Sequence, residues 1–150
     1  MRSLYYEEFE VGDYFETRGR TITEADIVAF AGLSWDFNSI HTDAEYAKSS
    51  LFGERIAHGA LGFVVHTGLS TALGHLTDTV VAFMGMTWNF HKPIKIGDTI
   101  HVEQNVKSKK DTDKTDMGIV VFDTRLVNQK GEVVQQGDKT LFVKKKGQGK

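Results

Sequence analysis

Apolar residues follow two different periods in the two halves of the chain. In the first half they recur at helical spacing. Thr23 offers an N-cap with Asp26 three residues on, and Ala25-Asp-Ile-Val-Ala-Phe-Ala31 runs helically up to Gly32. Before it, Phe15 to Thr21 reads as extended. Leu33 to His41 shows no clear period. Thr42 or Asp43 then caps a short helix, and Ala60, Leu61, Val64, Val65, Leu69, Ala72, Leu73 and Leu76 mark a longer one with few polar positions. Gly62 and Gly68 are costly inside a helix. They make sense where a sheet approaches closely, which predicts a buried central helix.

From Val80 the period becomes two. Val80, Ala82, Met84, Met86, Trp88 and Phe90 form one wholly apolar face, expected in the core, and the strand stops at Lys92-Pro93. Ile100, Val102 and Val106 predict a second strand. Residues 109–116 form a polar loop. Met117 to Val127 and Val133 to Val143 predict two more strands, joined by a turn at Asn128-Gln-Lys-Gly131. Strands in succession without helices between them favour an antiparallel sheet. The expected class is α+β: a long central helix packed across a curved antiparallel sheet, in one domain over residues 1–143. The basic, glycine-rich tail, 144–150, is expected to fray.

Composition narrows the partners. At 150 residues, 40% apolar and 25% charged, the chain matches an ordinary globular domain. The longest apolar runs fall far short of the ~20 residues a membrane span needs. The start, MRSLYYEEFEVGD, turns acidic too early for a secretory signal. Zero cysteines exclude disulfides, thiolate nucleophiles and Cys-ligated metals. A net charge of −2 gives no bulk attraction to nucleic acid. A cytoplasmic protein without nucleic-acid or membrane partners is expected. His66, His75, His91 and His101 are scattered without a ligand pattern, so no metal is expected.

Two segments carry candidate chemistry. Leu33-Ser-Trp-Asp-Phe-Asn-Ser-Ile-His41 places a carboxylate and an imidazole five residues apart in an irregular stretch. With reference pKa values of about 3.9 and 6.5, such a pair can take one proton and deliver another near neutrality. An Asp36 that caps a turn and a His41 at the start of a helix explain the spacing at least as well. The second segment is Arg55-Ile-Ala-His-Gly59, which opens the long helix. A helix N-terminus favours developing negative charge, and the Gly59 amide could donate to an oxyanion. A glycine that merely permits the turn is the simpler account of that position.

Taken together, Thr23-Glu-Ala-Asp-Ile27, Phe30-Ala31, Leu33-Ser34 with Asp36, Asn38 and His41, Ala47, Phe52-Gly53, Arg55-Ile-Ala-His-Gly59, Lys92-Pro-Ile94 and Gly97-Asp-Thr99 resemble the MaoC-like dehydratases, the (R)-specific enoyl-CoA hydratases of the hot-dog fold. The resemblance runs from about residue 5 to 143. It implies a homodimer, or a dimer-based higher oligomer, whose sheets pair edge to edge, and an acyl-CoA tunnel. It implies reversible addition of water to a 2-enoyl thioester, with no cofactor beyond the coenzyme A of the substrate. By position, the acid–base pair falls on Asp36 and His41, the supporting asparagine on Asn38 and the oxyanion amide on Gly59. Trp35, Phe37, Ser39, Ala57 and His58 are expected around the substrate, His58 with a hydrogen-bonding role near the helix start.

Trp35 stands where the family usually has glycine, and Ser39 where it usually has proline. Trp35 is expected either to narrow the acyl pocket, favouring short chains, or to brace the loop from the core. A hot-dog thioesterase and a non-catalytic acyl-CoA-binding subunit are the competing readings. Asp36, Asn38, His41 and Gly59 occurring together argue against both.

Overall fold

The period-two half forms three long antiparallel strands that dominate the sheet. The computed structural model describes residues 1–114 and 116–147. A 3-10 turn at Tyr6–Glu8 leads into β1 (Tyr14–Glu16) and β2 (Arg20–Thr21). Four helices follow: α1 (Glu24–Ser34), α2 (Ser39–Thr42), α3 (Ala44–Lys48) and α4 (Gly59–Ala72). Then come β3 (Val80–Met86), β4 (Asn89–Phe90), β5 (Thr99–Lys110), β6 (Met117–Val127) and β7 (Val133–Lys144). The strand order is β1-β5-β6-β7-β3, with β2 added to β5 and β4 to β7, and every pairing is antiparallel. Register shifts interrupt the β3–β7, β5–β6 and β6–β7 ladders, the kind of irregularity that bends a sheet locally.

Alternation places Ile100 and Val102 of β5, Leu126 of β6 and Val134 of β7 on that inner face. They pack on Leu61 and Val65 of α4 and on Ile22, Ile27, Ala57 and Ile94. A second cluster of Phe9, Phe15, Val106, Val120, Phe122, Leu141 and Val143 closes the other end. Each fully buried large side chain contributes about 1.5–3 kcal/mol of transfer free energy. At Gly62 a Cβ would lie 2.7 Å from the Gln135 amide carbon, so the close approach of sheet to helix is real there. It does not hold at Gly68, which is exposed and faces open space. The helix starts one residue earlier than its apolar pattern suggests and ends sooner. Gly74, at φ +79°, carries the chain out of it.

Other expectations change with the strand order. Val80, Met84 and Met86 on β3, the sheet's outer edge, and Phe90 on β4 are exposed, not core, and among the described residues nothing covers them. Ala82 and Trp88 are half-buried. The extended stretch near residue 15 splits into β1 and β2. Lys109 and Lys110 belong to β5 and not to the loop. The tail is held further than expected. Lys144 lies in β7, Lys145 pairs with Asp111 at 2.5 Å, and Lys146 reaches Glu8 at 3.0 Å. The end of the expected frayed tail, residues 148–150, lies outside the described residues.

Beneath α4 the core contains basic groups. His66, His75 and Lys139 are buried, and among the described residues the ring nitrogen Nε2 of His66 and both of His75 have no hydrogen-bond partner. Burial, aided by the Lys139 charge, lowers His66 to about 3 and His75 to about 4, from an ordinary 6.5. Burial also pulls Lys139 down to about 8. In acid the unfolded chain therefore binds more protons than the folded one. The two histidines' contribution to stability is complete above about pH 6.5 and is lost as pH falls toward 3. Thermal unfolding followed from pH 7 to 4 should show a steady fall in Tm. His75→Phe, which keeps the ring stacked at 4.4 Å on Phe15, should flatten that fall by about 1–3 kcal/mol at pH 4. Parallel curves for the two proteins would show that His75 is not a source of acid lability.

Candidate active site

The stretch between α1 and α2 is built from caps. Ser34 accepts a hydrogen bond from the Asp36 N–H at 3.2 Å and donates to the Phe30 carbonyl at 2.7 Å. Trp35 ends α1 in the left-handed region, at φ 63°. Asp36 Oδ1 accepts from Asn38 N–H, and Asn38 Oδ1 accepts from Ile40 N–H, each at 3.2 Å. Asn38 is thus the N-cap of α2, and Ser39 is its first residue. Proline fits well at a first helical position, and that is the place the family's proline would occupy.

His41 follows on α2. Its Nδ1 lies 2.7 Å from the Ile56 carbonyl, which can only accept, so Nδ1 carries the proton and Nε2 is left for chemistry. His58 Nε2 donates to the backbone carbonyl of Asp36 at 2.9 Å. The two imidazoles stack with centroids 3.9 Å apart and planes 28° apart. One ligating atom from each of Asp36, His41 and His58 falls within 4.8 Å of the other two. Lone pairs lie in the plane of an imidazole, so stacked rings point theirs side by side and not at a shared centre. The set suits proton transfer between Asp36 and His41 better than a cation.

Gly59 opens α4, and the N–H of a first helical residue has no partner within its own helix. A Cβ there would sit 2.8 Å from the Phe90 ring, so any larger residue would push that ring aside at the helix start. Gln135 fixes this turn from below. Its Nε2 donates to the Gly59 carbonyl at 3.0 Å, and its Oε1 accepts from Trp88 Nε1 at 2.9 Å. A cleft of about 330 Å³ opens over His41, Ala57, Gly59, Phe90, Ile94 and Gln135.

His41, Ala57 and Gly59 line the cleft, and a carboxylate oxygen of Asp36, which does not line it, lies within 4.8 Å of a His41 ring nitrogen. Trp35, Phe37, Ser39 and His58 do not line it. Trp35 neither narrows the pocket nor braces the core. The left-handed turn leaves its indole on the surface, 84% exposed, with Phe37 exposed beside it. His58 is buried behind His41, and Asn38 acts as a cap. Sequence reasoning missed Gln135 and Phe90 as cleft residues, although Gly62 and Gly59 are the gaps that admit them.

A family model described as the MaoC like domain matches residues 8–126. The chain belongs to this MaoC-like family. Protein MaoC of Klebsiella aerogenes is 43% identical over 106 residues, 70% of this chain, but the matched span is only 31% of that protein's length. The (R)-specific enoyl-CoA hydratase of Rhodospirillum rubrum is 34% identical over 95% of this chain and 94% of its own. The solved structure of a MaoC-like dehydratase from Rhodospirillum rubrum superposes with a TM-score of 0.88 at 30% identity, over 96% of this chain and 99% of that one. The fold is the hot-dog fold. A double-hot-dog protein of Mycobacterium tuberculosis shares it at a TM-score of 0.86 and 18% identity, over 99% of this chain and 46% of that one.

Within this MaoC-like domain, the tryptophan at a left-handed position costs roughly 1–2 kcal/mol relative to ordinary backbone, a cost that glycine avoids. Glycine gives part of that back as entropy of the unfolded chain. Trp35→Gly should accordingly raise stability by about 1 kcal/mol, or a Tm gain of roughly 2–4 °C in a domain of this size. A lower Tm would show that the indole is buried by something outside this chain.

Proposed function

We propose that the protein is a hydro-lyase that adds water reversibly to a 2-enoyl-CoA thioester, giving an (R)-3-hydroxyacyl-CoA. The observation that carries this reading is that His41, with its Nε2 left free of the Ile56 bond, and Gly59, whose N–H has no partner among the described residues, line one cleft, with an Asp36 carboxylate oxygen within 4.8 Å of a His41 ring nitrogen. One member of the Asp36–His41 pair takes a proton from water as its oxygen bonds to C3. The C2–C3 π electrons shift toward the thioester, and negative charge gathers on the carbonyl oxygen, where the Gly59 amide stabilises it. The other member protonates C2. The two proton roles belong to the pair. Asn38 supports them by fixing the turn between them. The names of the Rhodospirillum relative and of the 3-hydroxybutyryl-CoA dehydratase of Methylorubrum extorquens, 37% identical over 71% of this chain and 66% of its own length, support the reaction class. Coenzyme A enters as part of the substrate, and the chemistry calls on no further cofactor.

The test is the loss of conjugated-thioester absorbance on adding crotonyl-CoA. Asp36→Asn and His41→Gln should each fold and lower turnover about 10²-fold or more, the scale of a lost general acid or base. Near-normal turnover in either variant removes that residue from the mechanism. Release of free coenzyme A without hydration would favour a thioesterase.

We further propose a homodimer. β3 is an unpaired edge bearing exposed Val81, Phe83, Met84 and Met86, a hazard that proteins normally cover. Light scattering at micromolar concentration should give twice the chain mass, and Phe83→Asp should shift it toward the monomer. A monomeric unmodified protein would contradict the proposal.

A further inference from the structure

His58 takes no part in the cleft, yet it touches every part of the proposed machinery. It is 2% exposed. Its ring is held between Phe30, at a centroid distance of 4.9 Å, and His41, at 3.9 Å. Its Nε2–H is donated to the Asp36 carbonyl. As the N-cap of α4 it immediately precedes Gly59, and its own carbonyl accepts from Leu61 N–H at 3.0 Å.

Packing alone does not account for an imidazole here. The hydrogen bond to Asp36 puts the proton on Nε2, which leaves Nδ1 bare, buried and without a partner among the described residues. An unmet buried polar atom costs about 1–3 kcal/mol. A phenyl ring would fill the slot between Phe30 and His41 without that cost. The only thing imidazole adds is the N–H that holds the Asp36 backbone. That N–H ties the Asp36 backbone to the residue that precedes α4, and the same ring stacks on His41.

We infer that His58 is a positioning residue, which holds Asp36 to His41 through its Nε2–H on the Asp36 carbonyl and its ring face on the His41 imidazole. This rests on the proposed hydration chemistry only for its effect on rate. The hold on the Asp36 backbone is open to measurement without turnover. A displacement of about 1 Å in such a pair can cost 10²-fold in rate. Because His58 does not line the cleft, substrate affinity should be left largely alone.

The experiment compares His58→Phe, which keeps a ring in the slot, with His58→Gln, whose amide N–H can reach the position of Nε2. With crotonyl-CoA, His58→Phe should lower kcat by about 10- to 100-fold with KM within about threefold, and His58→Gln should recover part of kcat. In parallel, carbonyl-carbon NMR should show the Asp36 backbone carbonyl signal shifting in His58→Phe as it loses its hydrogen-bond donor, and moving back toward its original position in His58→Gln. If His58→Phe does not fold, His58→Gln is read in both measurements against the unmodified protein. A folded His58→Phe with kcat within twofold and an unchanged Asp36 carbonyl signal overturns the inference. So does a loss in which KM rises as much as kcat falls, because His58 would then shape the pocket. If the unmodified protein hydrates no enoyl thioester, the hydration reading fails, while the NMR comparison still decides whether His58 holds the Asp36 backbone.

Discussion

The close approach of α4 to the sheet governs the site. Gly62 has Gln135 where a side chain would be, and Gly59 has the Phe90 ring. Two methyl-sized absences let the first turn of the helix sit directly on β7 and β4. Gln135 then ties the turn down by its bond to the Gly59 carbonyl, and Trp88 holds Gln135 from the other side. Everything proposed for the reaction is hung from that turn. His58 caps it and reaches Asp36, while Ile56, just upstream, supplies the carbonyl that sets the His41 tautomer. A looser helix would release the amide donor and the acid–base pair together.

The groups divide by what each must do. An amide that stabilises charge has only to stay still, and it sits on a 14-residue helix against a sheet. The acid–base pair sits on a turn and a four-residue helix, segments that could not hold themselves. Side-chain caps from Ser34, Asp36 and Asn38 substitute for missing helical length, and the stacked His58 supplies the tertiary anchor. Local hydrogen bonds choose the shape of the loop, and one buried ring chooses its place.

Much of this was legible in the residues. Period two located the long strands, while the spacing of Asp36, Asn38, His41 and Gly59 pointed to a candidate site only together with the family resemblance. What failed did so for physical reasons. Periodicity shows that Val80, Met84, Met86 and Phe90 seek an apolar neighbour but not which chain provides it, and β3 turned out to be the edge. Trp35 was read by its size, whereas its backbone decides its place, and a left-handed conformation leaves no mark on a non-glycine residue. Gln135 lies 76 residues from Gly59, and only the glycines opposite it hinted at a partner. The tail was judged by composition, but its lysines find carboxylates at Asp111 and Glu8 that no local pattern connects to them.

The same sheet that presents the site carries an unusual interior at its far side. His66, His75 and Lys139 are basic groups without a buried carboxylate to pair with among the described ion pairs, and each is displaced toward its neutral form. His66 packs against Trp88 at 5.0 Å, and Trp88 is the residue that holds Gln135 under Gly59. Charging His66 would place a cation beside the indole that orients the floor of the cleft. The fold's response to acid and the integrity of the amide donor are therefore linked through one side chain, Trp88.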